Sequence, residues 1–342
     1  MNRKTTLRLI YNTLFSYLSH FISQLSTFIL LPIIVAKIGK PNFGLYTLAL
    51  SIPALLAFLD FGMRPALVKL LAPLQPEKDW LEINQIVTSA FVVRIVSGAV
   101  ISLVILLLAL NIQAVFKIEN EQLKTAQRLF LIISLFSFLN WVLATFRPII
   151  FAYQRFEMET LSVIASSVAG FSMALLFLEC FGNIESVAIG LLGGHFLGHF
   201  LYLFSGFRLL PRLCIKPRYL SRDVQKKVYS FGGKLFVVAF CGSILYQFDK
   251  ILLGHFRGPS DIAEYGIADT LHLIPRTVHG LSVSALTPTI STLESAGRWE
   301  EIHGLIIVAS RLVLGLVNPI AIYLIVFAEP FIFWYVGKEF QV

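Results

Sequence analysis

Apolar residues in this 342-residue chain neither alternate nor trace a single helical stripe; they run in long blocks separated by short polar stretches. Blocks of about 20 residues or more match the ~30 Å hydrocarbon core of a bilayer at 1.5 Å per helical residue. No water is available there for backbone amides, so such blocks must close their hydrogen bonds internally as helices. The pattern predicts membrane-spanning helices at about 13–36, 44–71, 87–110, 128–151, 160–181, 185–207, 231–254, 265–290 and 304–327. An all-α polytopic membrane protein is the expected class.

The pattern also repeats. Gly39, Tyr46 and Ala49 recur in the same spacing as Gly258, Tyr265 and Ala268, an offset of 219 positions. The segment RIVSG at Arg94–Gly98 recurs as RLVLG at Arg311–Gly315, an offset of 217. Two matches at nearly one offset point to a duplicated membrane unit, a common construction in transporters. Six helices per copy would insert both copies in the same direction, related by an axis along the membrane normal, with a central cavity between them. The expected organisation is an N-terminal six-helix lobe over 1–210, a basic linker over 211–230 and a C-terminal lobe over 231–342, with three helices and an outer loop. Projected at the same offset, a full second copy reaches about residue 426, and position 342 corresponds to about position 124 of the first. The second lobe is therefore expected to be truncated, with about nine helices present.

Composition agrees with the pattern. Hydrophobic residues make up 56% and charged residues only 14%, with a mean hydropathy of +0.77, against roughly 25% charged in soluble domains. The predicted helices leave fifteen Lys/Arg on the side of the N-terminus, eight opposite and five within spans. That bias places the N-terminus in the cytoplasm. Seven of the fifteen fall in RLLPRLCIKPRYLSRDVQKKV, where they suit cytoplasmic topology and lipid headgroups and need no nucleic acid. Cys180, Cys214 and Cys241 have no metal-ligand spacing. The loops are short, so no extramembrane catalytic domain fits, and FGGKLF lacks the residues of a phosphate-binding loop. No cofactor and no enzymatic activity are expected.

Charged groups inside a bilayer cost at least ~2.5 kcal/mol each and tend to face a cavity or a partner. In the eighth predicted helix Asp269, His272, Arg276 and His279 are spaced 3, 4 and 3 and share one face. Arg276 lies about eleven residues from the outer end, roughly 16 Å deep, beside Pro275, which should loosen the helix. The face reads either as a cationic wall for an anionic headgroup or as a buried internal contact. Thr13, Ser16, His20, Gln24 and Thr27 form a neutral polar stripe on the first helix, suited to a hydrated lumen or to interhelical hydrogen bonds. Arg94 and Arg311 sit near cytoplasmic helix ends, either snorkelling or presenting two guanidinium forks to phosphate. Asp60 and Arg64, four apart, read as a local pair. Asp249 reads as a cation-coupling or gating group or as a structural contact. Gly190, Gly194 and Gly198 predict close helix packing, and His195 with His199 lacks a third metal ligand.

Four segments together resemble the polysaccharide (O-antigen) flippase family of the multidrug/oligosaccharidyl-lipid/polysaccharide exporter superfamily. They are GKPNFGLYTLALSIPALLAFLDFGMRPALVK, YQFDKILLGHFRGPSDIAEYGIA, LTPTISTL and EPFIFWYVGKEF, in order along essentially the whole chain. The resemblance implies a fold like that of the multidrug and toxin extrusion (MATE) transporters, with two six-helix lobes around a basic cavity. It implies movement of polyprenyl-diphosphate-linked oligosaccharide from the inner to the outer leaflet of the inner membrane, for surface polysaccharide and O-antigen synthesis. Arg276, then Arg94 and Arg311, would be the cavity cations. His272, His279, Asp269, His20 and Gln24 join them as substrate-binding candidates, and Asp249 and Asp60 stand as ion-coupling or gate candidates. Membrane lipids and polysaccharide polymerase or assembly proteins are the implied partners. A cation-coupled drug or metabolite exporter of the same fold, a non-transporting assembly partner and an inactive copy remain as alternatives.

Overall fold

The computed structural model describes residues 3–295, 297–338 and 340. Among them regular structure is helical throughout. Cα packing separates two units, residues 1–262 and 263–342.

The first unit opens with α1 (Arg3–Ile38), a tight turn at Gly39, and α2 (Lys40–Leu55). Both copies of the Gly–Tyr–Ala pattern begin at helix starts of one kind. Gly39 has φ +78 and precedes Pro41; Gly258 has φ +123 and precedes Pro259, the first residue of α11 (Pro259–Ser295). Glycine supplies the left-handed turn, and proline tolerates a first turn whose N–H groups have no helical acceptor.

The second predicted span is not one helix. After α2 a 3₁₀ turn (Leu56–Asp60) leads to Phe61 and Gly62 at φ 49 and 63, and α3 (Met63–Leu71) then restarts. Pro65 sits in the first turn of α3, where its missing donor costs nothing. α4 (Trp80–Leu110), the short α5 (Ile112–Val115) and α6 (Leu123–Leu143) follow. The fourth predicted span also breaks, because Pro148 cannot donate to the carbonyl of Ala144; α7 (Arg147–Ala152) restarts it. α8 (Phe156–Phe181) and α9 (Ile184–Leu209) complete the lobe.

Small residues set the closest packing. A Cβ on Gly190 would lie 2.5 Å from the Ala174 nitrogen, one on Gly194 2.3 Å from the Gly170 Cα, and one on Gly198 2.7 Å from the Ser166 Cβ. The predicted glycine face of α9 therefore lies against α8. α4 meets α6 through Gly98 and through a Ser102–Ser134 hydroxyl contact of 2.8 Å. One end of the lobe is closed by an apolar cluster in which Met63, Leu67 and Leu71 meet Ile83, Ile86, Phe146 and Ile150.

The basic linker docks on this unit. Asn84 donates to the Arg212 carbonyl at 3.2 Å and accepts from the Cys214 N–H at 2.9 Å, and Leu213 and Tyr219 are buried. α10 (Arg222–Phe256) follows, with the Ser221 hydroxyl capping its start, and packs on α2 and on the 3₁₀ turn. There the Phe236 ring stacks on Phe61 at 5.1 Å.

In the second unit α11 continues to Ser295 and α12 (Trp299–Val336) follows. Helical structure runs unbroken through Pro275, where loosening was expected. α12 kinks instead at Phe327 (φ −112, ψ 17), one turn before Pro330. Among the described residues, eight helical stretches are long and apolar enough to cross a membrane.

Candidate functional site

Charge is concentrated at the broken ends of the second and fourth predicted spans. The break at Phe61–Gly62 removes Asp60 from the helix that carries Arg64, so the predicted i,i+4 side-chain pair is replaced. Asp60 reaches across to α4, where Arg94 Nη2 lies 2.6 Å from its Oδ1. The Arg64 backbone N–H lies 3.4 Å from Asp60 Oδ2. Arg94 is 6% exposed rather than extended to an interface. Its guanidinium also donates to the Trp141 carbonyl at 3.4 Å and lies 5.5 Å from that ring. Trp141 is fixed in turn by donation from Nε1 to Ser97 Oγ at 2.8 Å.

A second pair lies nearby on α7 and α8. Arg147 Nε donates to Glu159 Oε1 at 2.9 Å, and Glu159 is buried. The Arg147 guanidinium lies 5.6 Å from the Tyr202 ring and 5.7 Å from the Phe151 ring. Arg64 faces the same Phe151 ring at 4.9 Å. In the turn between α7 and α8 the Tyr153 hydroxyl is buried, and that burial, with the Asp79 carboxylate second, pushes its phenol up to about 12. Arg147, Glu159 and Trp141 were not among the residues expected from sequence. Arg147 reads there as one more loop cation, and nothing in its spacing announces a carboxylate twelve positions on.

The α11 face belongs to the second unit. Unbroken helical structure through Pro275 preserves the 3, 4, 3 register of Asp269, His272, Arg276 and His279. Asp269 and Arg276 are half-buried and each is engaged in a contact; His272 and His279 are exposed. His279 lines an apolar cavity of about 360 Å³ between α11 and α12, with Ile306, Ser310 and Leu314. Arg311, next to Ser310, is exposed.

On α1, His20, Gln24 and Thr27 are exposed; the side chains of Thr13 and Ser16 lie outside the described residues. Ser23, Ser26 and Thr27 line a small cavity of about 50 Å³ with Ser166, Ser167, His195 and the apolar Leu30, Phe171 and Leu191. His199 Nδ1 lies 2.8 Å from the His195 carbonyl, and among the described residues no three His, Cys, Asp or Glu side chains cluster as a metal site would need. Asp249 is exposed near the end of α10, beside the buried Lys250, and both are engaged.

A family model described as polysaccharide biosynthesis protein matches residues 9–294. No curated protein matches the sequence. Solved transporters do match the structure. A multidrug resistance MATE family transporter of the MOP superfamily, in an inward-facing conformation, superposes with a TM-score of 0.70 at 13% identity, over 92% of this chain and 73% of its own. A mutant of the Vibrio cholerae MATE transporter VcmN gives 0.69 at 17% identity, over 97% and 75%. The MATE multidrug transporter DinF-BH gives 0.68 at 15% identity, again over 97% and 75%. At these identities the likeness establishes a MATE-like fold.

Proposed function

We propose, from the premise that the chain belongs to the polysaccharide biosynthesis protein family, that it moves polyprenyl-diphosphate-linked oligosaccharide across the inner membrane with its N-terminus in the cytoplasm. The family and the fold make it a multi-pass membrane exporter. The lipid-linked substrate is the further step, and the observation that carries it is the α11 face. A guanidinium and two imidazoles hold one register along α11. A diphosphate offers the oxygens that a guanidinium fork recognises. In alternating access the diphosphate pairs with Arg276, with His272, His279 and Arg311 as further donors and Asp269 as the balancing acid. The sugars cross with their water, and the lipid tail stays in the bilayer. His20 and Gln24 offer neutral hydrogen bonds to sugar hydroxyls. Arg94 enters as a cation held by Asp60, and Asp249 as the candidate for ion coupling or gating. The two-lobe organisation and contact with polysaccharide polymerase or assembly proteins belong to the same proposal.

Complementation of surface polysaccharide tests it. Arg276→Ala should abolish export and Arg276→Lys should retain part of it; wild-type export by both variants removes Arg276 as the headgroup ligand. The second reading, cation-coupled drug or metabolite export, is favoured by the multidrug transporters among the structural neighbours. It predicts ion-dependent drug efflux that Asp249→Asn abolishes and Arg276→Ala leaves intact.

A further inference from the structure

The end of the first unit where α3, α7 and α8 meet holds the guanidiniums of Arg64, Arg94 and Arg147 and the carboxylates of Asp60 and Glu159, with Arg155 and Glu157 paired to each other at the start of α8. Asp60 is paired with Arg94 at 2.6 Å, and Glu159 is bonded to Arg147 at 2.9 Å. Each carboxylate already serves its own guanidinium. Arg64 is the remaining cation: its guanidinium has no carboxylate within ion-pair distance among the described residues, and its side chain is exposed. It is nevertheless held. The Phe151 ring lies 4.9 Å away, and the backbone before it is fixed by the turn at Phe61 and Gly62. The same ring carries Arg147 at 5.7 Å, so two guanidiniums surround one aromatic shelf that has a single carboxylate. An aromatic face orients a guanidinium without neutralising it, which leaves the fork of Arg64 free to donate to two oxygens of one anion.

The geometry points to an anion site at Arg64, on the Phe151 shelf, that takes a phosphate ester: the phosphate of an anionic lipid headgroup or the diphosphate of a lipid-linked precursor. The Lys/Arg bias puts this end of the lobe in the cytoplasm, the leaflet in which both occur. The site is built from α3 and α7 and uses none of the α11 residues, so it does not depend on the role given to Arg276.

The test uses the full chain in nanodiscs of phosphatidylcholine, with farnesyl diphosphate and phosphatidylglycerol as probes and farnesol as the uncharged control. Loss of a charge-assisted fork should weaken binding of the occupying probe roughly tenfold or more in Arg64→Ala. A smaller loss is expected in Arg64→Lys, with farnesol binding and the thermal midpoint unchanged. Weakening confined to phosphatidylglycerol identifies a lipid headgroup; weakening confined to farnesyl diphosphate identifies the precursor. The Arg64-dependent part of binding should persist in Arg276→Ala. Wild-type affinity for both probes in Arg64→Ala and Arg64→Lys overturns the site.

Discussion

The two copies of the RxVxG segment end in opposite circumstances. On α4, Arg94 is buried and paired with Asp60, and Gly98 is a notch: a Cβ there would lie 3.1 Å from Trp141 Cδ1. On α12, Arg311 is exposed, and a Cβ on Gly315 would meet nothing within 4 Å. The partner differs as well. At the repeat offsets of 217 to 219, Asp60 corresponds to the stretch Thr277–His279, which contains no acid. One pattern thus serves two purposes. With a carboxylate opposite, the arginine becomes an internal tie; on α12 it stays exposed.

The difference can be broken most directly at Asp60. Asp60→Ala strands a guanidinium that is 6% exposed and should cost about 3–5 kcal/mol in detergent unfolding experiments. Arg311→Ala should stay within roughly 0.5 kcal/mol. Asp60→Ala combined with Arg94→Met should recover most of the loss, because the buried charge leaves with its partner. If Asp60→Ala is no worse than Arg311→Ala, the pair is not a tie.

The glycines sharpen the contrast at a smaller scale. Gly98→Ala pushes into Trp141 and should cost about 1–3 kcal/mol. Gly315→Ala should be neutral or stabilise by up to ~1 kcal/mol through helix propensity. Thermal midpoints moving the same way in both variants would erase the distinction. Trp141→Phe tests the support of the tie. It removes the 2.8 Å bond to Ser97 and should lower stability by about 1 kcal/mol, while the same change at Trp334 on the exposed face of α12 should do nothing measurable.

The helices and their order are legible in the sequence because apolar block length is a direct consequence of bilayer thickness. The tandem glycines of α9 are legible for a related reason, since close backbone approach admits little else. The breaks at Phe61 and at Thr145 are not. At Phe61 an apolar block gives no sign of a left-handed residue inside it, and at Thr145 the sequence shows Pro148 but not where the helix ends before it. That loss carries over to the candidate site. Reading 44–71 as one helix pairs Asp60 with Arg64, whereas the broken helix turns Asp60 toward Arg94. The Arg147–Glu159 contact is hidden in the same way, because it joins a residue at the end of one predicted span to one in the loop before the next. The α11 face is legible, since spacings of 3 and 4 need only an unbroken helix.

The most direct test is leaflet transfer of a fluorescent polyprenyl-diphosphate oligosaccharide by the full chain in liposomes, comparing Arg276→Ala with the Asp60→Ala/Arg94→Met double variant. If the α11 cation binds the substrate and Arg94 serves chiefly as a tie, Arg276→Ala stops transfer and the double variant keeps its rate within roughly threefold. Undiminished transfer in Arg276→Ala, with transfer lost in a folded double variant, would contradict that division of roles.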